Sequence, residues 1–221
     1  MVQKMMQDMK TVKVWDIFVR IFHWTLVGCM IGLYLSGDEF EGVHISLGYF
    51  VTGLILLRVI WGFIGTKHAR FGDFLCPPTK IYQYLKGLIN GNPIHYLGHN
   101  PAGGLMIIVM LLFLLVTAFT GLKTLGSEGK GPLANNGISI FRFAYADDDS
   151  DDDQTYKTGD HHKNQREEFW EDIHEAMTSF MIFLIIFHLA GVVVSSWNHK
   201  ENLILAMING RKKTLESSQG N

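Results

Sequence analysis

The stretch IHEAMTSFMIFLIIFHLAGVVVSSW, residues 173–197, decides the fold, because its middle is apolar enough for a lipid bilayer and yet carries two histidines. A polar imidazole in an apolar span costs free energy unless a partner engages it. His174 and His188 share a helix face, since their interval is only about 40° short of four full turns. Their separation of about 21 Å along the helix axis is too long for one metal ion and suits two flat cofactors at two depths.

The sequence contains four long runs that are nearly free of charge, at about 17–36, 45–65, 102–122 and 174–197. Each has about the 20 residues that a helix needs to cross the hydrocarbon core, and none alternates like a membrane β-strand. We therefore predict an all-α fold, an integral membrane four-helix bundle in a single domain over residues 1–221. The alternative, four buried helices of a soluble protein, is disfavoured because the runs fill so much of the chain.

The charges of the loops predict the orientation in the membrane. Residues 1–20, 66–101 and 198–221 fall on one side of a four-span protein and hold 12 of the 19 lysines and arginines. The opposite side has the short acidic loop 37–43 and the long loop 123–172. Because basic loops stay on the cytoplasmic side, we expect both termini inside and both acidic loops outside.

The outer loop 123–172 contains the acidic block DDDSDDD at 147–153. Such a block is usually solvated and without fixed structure. The functional alternative is that it steers a basic soluble partner, since an acidic patch raises encounter rates in a salt-dependent way. The net charge of −2 conceals this asymmetry and gives no reason to expect a nucleic-acid partner.

Two further histidines match the pair on the fourth helix in depth. His23 lies in the inner half of the first helix, as His188 does in the fourth, and His44 lies at the outer end of the second helix, level with His174. Two pairs of axial imidazoles, each with one member on the fourth helix, are the ligand set of two b haems in a bundle core. Bis-histidine iron has no open position, which favours electron transfer. The alternative for any single histidine is a hydrogen bond across helices.

Two arginines fit the same arrangement. Arg20 is one turn before His23 and on its face, and Arg58 lies fourteen residues after His44 and therefore on the face of that histidine. A buried arginine needs an anionic partner, and haem propionates near the inner surface would serve. Alternatively, Arg58 reaches the inner interface, since the second helix ends soon after it. Glycines in these two helices leave room either for a flat macrocycle or for close helix packing: Gly28, Gly32, Gly48, Gly53 and Gly62.

The other histidines are interpreted as solvated. His68, His95 and His99 lie at or beyond the inner interface, with contact to a quinone or a propionate as the functional alternative. Covalent attachment of c-type haem is excluded because the sequence has no CxxCH, and no GxSxG or HExxH motif indicates hydrolytic chemistry. Three further histidines look like surface residues: His161, His162 and His199.

At these residues the sequence resembles the bacterial cytochrome b561 family and the b-type cytochrome subunits of nickel–iron hydrogenases and formate dehydrogenases. The similar segments are VWDIFVRIFHW at 14–24, HISLGYFVTGLILLRVIWG at 44–62 and IHEAMTSFMIFLIIFHLAGV at 173–192. The resemblance implies a four-helix bundle in the bacterial inner membrane that holds two haem b groups. It also implies the axial pairs that depth had suggested, His23 with His188 and His44 with His174.

The function expected is that of a membrane dihaem cytochrome b, which relays electrons between the quinone pool and a redox partner at the periplasmic face. Because the loop 123–172 is longer and more acidic than a minimal family member needs, we expect a specific partner, a c-type cytochrome or an oxidoreductase subunit. Two alternatives lack haem. A metal-ion transporter would need carboxylates or thiolates as ligands within the spans, and in a membrane anchor the histidines would be structural. The sequence leaves open whether two copies form a homodimer.

Overall fold

A computed structural model describes residues 9–37, 39–91, 96, 98–134, 157–199 and 201–215 of the chain. The acidic block at 147–153 and His95 lie outside these residues. The chain divides into two compact units, Met1–Leu111 with Leu184–Asn221 and, separately, Leu112–Phe183. The single-domain organisation expected from the sequence stays a prediction.

Helices make up most of the described chain, with one small sheet. In chain order the elements are β1 (Met9–Lys13), α1 (Ile17–Ser36), α2 (Glu41–Ile64), α3 (Phe71–Phe74), α4 (Pro78–Ile89), α5 (Pro101–Ser127), α6 (Lys157–His199), α7 (Leu203–Asn209) and β2 (Arg211–Leu215).

Four of these helices are long and apolar enough to cross a membrane: α1, α2, α5 and the Glu167–Asn198 part of α6. Between 11% and 22% of each apolar window is buried within the protein, so most of these side chains need lipid rather than protein to shield them from water. Examples are Ile31, Leu57, Leu112 and Ile186, all more than half exposed. The prediction of a helical membrane bundle is confirmed, and the chain is a multi-pass membrane protein.

The helices extend beyond the apolar runs that predicted them. α2 begins at Glu41 rather than near residue 45, α5 continues to Ser127, and α6 begins at Lys157. The segment between α5 and α6 is therefore shorter than the predicted loop 123–172. The reason is that apolar runs mark only the part of a helix inside the bilayer, whereas a helix continues wherever its backbone stays hydrogen-bonded.

The first unit joins the two ends of the described chain in an antiparallel sheet, in which Met9 lies opposite Leu215 and Lys13 opposite Arg211. The carbonyl of Gly210 extends the connection, because it accepts hydrogen bonds from the amides of Val14 and Trp15 at 2.9 and 3.2 Å. The sequence had not indicated this sheet. It fixes the entry to α1, which carries Arg20 and His23.

Asp16 sets the position at which α1 begins. One carboxylate oxygen accepts a hydrogen bond from the amide of Val19 at 2.7 Å, which caps the helix. The other accepts from the indole nitrogen of Trp61 at 3.1 Å and the hydroxyl of Thr66 at 2.6 Å. The start of α1 is therefore tied to the end of α2.

The second unit, Leu112–Phe183, consists largely of parts of α5 and α6. The rings of Phe113 and Phe180 pack with centroids 4.5 Å apart. Leu114, Thr120 and Met181 are almost fully buried. A polar side chain, Thr120, is thus among the buried residues of this unit.

Candidate functional site

The predicted inner pair lies in the first unit. His23 on α1 and His188 on α6 are close enough for their charges to interact. The Nδ1 atom of His23 is buried and has no hydrogen-bond partner among the described residues. Two imidazoles on two spanning helices are thus within electrostatic range of each other, and that of His23 has a buried nitrogen without a partner in the described part of the chain, as a site for a bound group would.

Arg58 is 4% exposed, on α2. Its Nη2 donates a hydrogen bond to the carbonyl of Ala69 at 3.3 Å, and its guanidinium lies 5.4 Å from the ring centroid of Phe71. Asp16 is close enough to interact electrostatically. Nη1 is buried with no partner among the described residues, so this nitrogen of the guanidinium has no acceptor there for its protons.

Arg20 on α1 contacts residues near the C-terminal end of the described chain. One guanidinium nitrogen donates a hydrogen bond to the carbonyl of Ile208 at the end of α7. Gly210, in the left-handed conformation with φ of 79°, ends that helix, and a side chain there would meet Arg20 at 3.1 Å. The Nε atom of Arg20 is buried without a partner in the described part of the chain. Arg20 therefore caps α7 and keeps one donor to spare.

His44 lies in the first unit, near the start of α2. Its Nδ1 atom is 3.1 Å from the carbonyl oxygen of Leu33 on α1. Because a carbonyl can only accept, Nδ1 carries a proton, and in the neutral ring the electron pair is then on Nε2, the nitrogen that a metal commonly takes.

His174 lies in the second unit, on α6. Its Nδ1 atom is 3.0 Å from the hydroxyl oxygen of Thr120 on α5. The ring also lies against the backbone of Gly121, where a Cβ atom would come within 3.0 Å of its Cε1. Neither neighbour was singled out from the sequence, although Thr117, Thr120 and Thr124 recur at helical spacing on α5, a signal that could have drawn attention to this face.

The glycines noted in the sequence separate into two groups. At Gly32 a Cβ would lie 2.9 Å from Leu47, and at Gly62 it would overlap the ring of Phe71. Gly32 and Gly62 therefore allow close packing of the protein around α1 and α2. A Cβ would meet no atom of the protein within 4 Å at three others, where space for a flat group or for lipid remains: Gly28, Gly48 and Gly53.

His99, expected to be solvated, is half-buried in the structure. Its ring lies 4.3 Å from that of Trp15 and lines a cavity of about 150 Å³ with His68, Lys67 and Asp73. Burial, and then the nearby cations, lower the pKa of His99 to about 3. The interpretation of His99 as solvated is therefore weakened, because residues distant in sequence partly enclose its ring. For His68, which is half-buried in the same cavity wall, the interpretation as solvated is weakened.

A bare metal ion finds no ready site in the part of the chain that the structure describes, because no group of three or more His, Cys, Asp or Glu side chains is placed to hold one. Haem would require fewer ligands from the protein, because the porphyrin supplies four nitrogens and two imidazoles would suffice for the iron.

A family model described as prokaryotic cytochrome b561 matches residues 14–210. The match covers all four spanning helices, and the chain belongs to the prokaryotic cytochrome b561 family. Members are b-type cytochromes, so its cofactor is haem b and its work is electron transfer. The resemblance proposed from the histidine segments is confirmed.

Several relatives are named as probable Ni/Fe-hydrogenase B-type cytochrome subunits. The chain is 24% identical to that of Bradyrhizobium diazoefficiens, with 92% of this chain and 86% of the relative aligned. It is 25% identical to that of Rhizobium leguminosarum bv. viciae, over 93% and 90% of the two chains. The Azotobacter vinelandii relative is also 25% identical, over 58% of this chain and 65% of its own. No solved structure matches the chain.

The residues at the predicted positions fit haem b. Nδ1 of His44 faces the carbonyl of Leu33, so Nε2 is the ring nitrogen that would bind iron. The buried guanidinium of Arg58 has a donor without an acceptor among the described residues, as a propionate-binding cation would before its anion arrives. Open space beside Gly48 and Gly53 on α2 leaves room for a flat group.

Proposed function

We propose that this chain is a dihaem b-type cytochrome that passes single electrons between the quinone pool and a redox partner at the outer face of the bacterial inner membrane. The observation that carries the proposal is that His23 and His188, on two spanning helices of a b-type cytochrome, lie within electrostatic range of each other. Haem b, when bound between two histidines, supplies a one-electron iron couple without an open coordination position.

The work of the chain is to hold and orient four imidazoles at two depths. His23 and His188 form the inner ligand pair, and His44 and His174 form the outer pair. The common depth of each pair in the sequence supports this assignment, as does the continuity of α6, which carries one member of each. The carbonyl of Leu33 orients His44 through its Nδ1 proton.

Arg58 and Arg20 bind the propionates of the inner group in this proposal. Burial of Arg58 argues against the alternative in which its guanidinium reaches the aqueous interface. Asp16 partly balances its charge, and the buried Nη1 donor remains for an anion. A charged hydrogen bond in this setting is stronger than a neutral one, because the surroundings screen it poorly.

The names of the relatives favour an oxidoreductase subunit of nickel–iron hydrogenase type as the partner. A second candidate is a basic c-type cytochrome, which the acidic block at 147–153 favours through charge complementarity. Raising the ionic strength would slow electron transfer strongly to a partner steered by this block and weakly to a permanent subunit. The positive-inside pattern supports cytoplasmic termini, so either partner would meet the chain from the periplasm.

The experiment that tests the proposal is the haem content of single histidine variants. The wild type is expected to hold two b haems per chain, measured as the pyridine haemochrome. His23→Ala and His188→Ala should each lose the same haem, identified by its midpoint potential, and His44→Ala and His174→Ala should each lose the other. Loss of different haems from His23→Ala and His188→Ala would break the inner pair, and a wild type without b haem would end the proposal.

A further inference from the structure

Thr120 is a polar side chain placed to act on His174. It is 3% exposed on α5, and its Oγ1 lies 2.9 Å from the carbonyl of Thr117 and 3.0 Å from Nδ1 of His174. The hydroxyl is placed to donate its one proton to the carbonyl of Thr117. With the proton there, the oxygen of Thr120 is the acceptor for a hydrogen bond from Nδ1–H of His174, and this tautomer is the one on which the inference depends.

We infer that Thr120 is a positioning residue for His174 as an iron ligand, and that its hydroxyl tunes the potential of the outer haem. The inference rests on the proposed function, in which His174 binds that haem. With Nδ1 holding the proton, the electron pair of the ring is on Nε2, so the tautomer that iron requires is set before the cofactor arrives.

Gly121 gives the same ring a second constraint. A Cβ at this position would lie 3.0 Å from Cε1 and 3.4 Å from Nδ1 of His174, so the imidazole rests directly on the backbone of α5. The hydroxyl of Thr120 engages one ring nitrogen, and the backbone at Gly121 leaves just enough room for the ring. Adjacent positions on α5 therefore restrict both the hydrogen bonding and the position of His174.

The hydrogen bond also has an electronic effect. An imidazole that donates its Nδ1 proton to an acceptor is a more basic ligand at Nε2. A more basic ligand stabilises ferric iron over ferrous iron, and this lowers the reduction potential of the haem. Removal of the Thr120 hydroxyl should therefore raise that potential, and a hydroxyl supplied by serine should restore it.

The test compares three variants of the full-length holoprotein in detergent by redox titration and by electron paramagnetic resonance of the ferric haems. Thr120→Val has nearly the shape of threonine without the hydroxyl, and Thr120→Ser keeps the hydroxyl. The matched control is Thr124→Val, which makes the same change one turn along α5, where the hydroxyl donates to the carbonyl of Thr120 at 3.1 Å.

We expect Thr120→Val to raise the midpoint potential of the outer haem by up to about 59 mV. For one electron this corresponds to a tenfold change in the ferrous-to-ferric ratio. The resonance of that haem should move with it, while Thr120→Ser and Thr124→Val stay near the wild type. Loss of the outer haem from Thr120→Val alone would also support a positioning role for the hydroxyl.

Equal potentials in wild type and Thr120→Val, or equal shifts in Thr120→Val and Thr120→Ser, would overturn the inference. The proposed function has a separate control, His174→Ala. If that variant loses one haem while Thr120→Val behaves as wild type, the ligand assignment stands and only the role of Thr120 fails. If His174→Ala keeps both haems, the ligand assignment itself is wrong.

Discussion

The carboxylate of Asp16 accepts a hydrogen bond from the indole nitrogen of Trp61 at 3.1 Å and so joins the start of α1 to the end of α2. The same carboxylate caps α1 and accepts from Thr66. Burial raises its pKa, but the hydrogen bonds and the charge of Arg58 outweigh burial and leave the pKa below the usual 3.8. Asp16 therefore acts as a charged anchor that sets the spacing of the helices carrying His23 and Arg58.

Asp16→Ala should lower the thermal stability of the protein in detergent. The substitution removes a helix cap, worth about 1 kcal/mol, and two further hydrogen bonds of about 1 kcal/mol each. Asp16→Asn keeps an acceptor oxygen and should lie between wild type and Asp16→Ala. Glu168→Ala removes an exposed acid from α6 and serves as the control. An unfolding temperature for Asp16→Ala equal to that of the control would contradict the anchor role.

The charges of Asp16 and Arg58 should be energetically coupled. Each lies in the field of the other, so removing either one leaves the other less well compensated. In a double-mutant cycle with Asp16→Asn and Arg58→Gln, the loss in the double variant should be smaller than the sum of the single losses. Additive losses would show that the two side chains act independently.

His99 should make the protein less stable in acid. The pKa of His99 is about 3 in the folded protein against 6.5 for an ordinary histidine, so between these values the unfolded chain binds a proton that the folded chain does not. The contribution of neutral His99 to the free energy of unfolding is therefore fully present above pH 6.5 and declines as the pH falls towards 3. His99→Phe keeps a ring against Trp15 and removes the proton site.

The measurement is the thermal unfolding temperature of wild type and His99→Phe between about pH 4.5 and about pH 8, a range that lies on both sides of the ordinary histidine pKa. The wild type should lose more stability than the variant on acidification, and the two curves should run parallel above the ordinary pKa. Parallel curves throughout would mean that His99 does not take up a proton on unfolding.

Gly121→Ala should displace the ring of His174 and reduce the occupancy of the outer haem. The added methyl would lie 3.0 Å from a ring atom, so the imidazole would have to shift by a few tenths of an ångström from its position in the structure. Gly72→Ala on α3, where a Cβ meets no protein atom within 4 Å, is the matched control. Haem content per chain, compared with the unfolding temperature, separates a local loss of cofactor from general destabilisation. Full occupancy in Gly121→Ala would show that the ring does not rest there in the holoprotein.

The spanning helices could be predicted because a membrane requires about 20 apolar residues in each of them, a property read directly from sequence. Their ends could not, since α6 begins at Lys157 in a charged segment where hydropathy carries no signal. The β1–β2 pairing was missed because it joins residues about 200 positions apart in two short polar segments, with no local pattern to mark it.

The histidine positions could be predicted because helical periodicity converts intervals such as that between His174 and His188 into faces and depths. The surroundings of the ligands could not. Thr120 looks like an ordinary helical threonine, and its contact with His174 spans 54 positions. The contact of the His99 ring with that of Trp15 likewise joins residues distant in sequence, which no local pattern identifies.

The central claim is that four histidines hold two b haems at two levels of one bundle. A potentiometric titration of the purified protein, followed by the α-band of reduced haem b, tests it most directly. The account predicts two one-electron transitions of similar amplitude in the wild type, with one remaining in His188→Ala and the other remaining in His174→Ala. A single transition in the wild type, or both transitions in either variant, would contradict it.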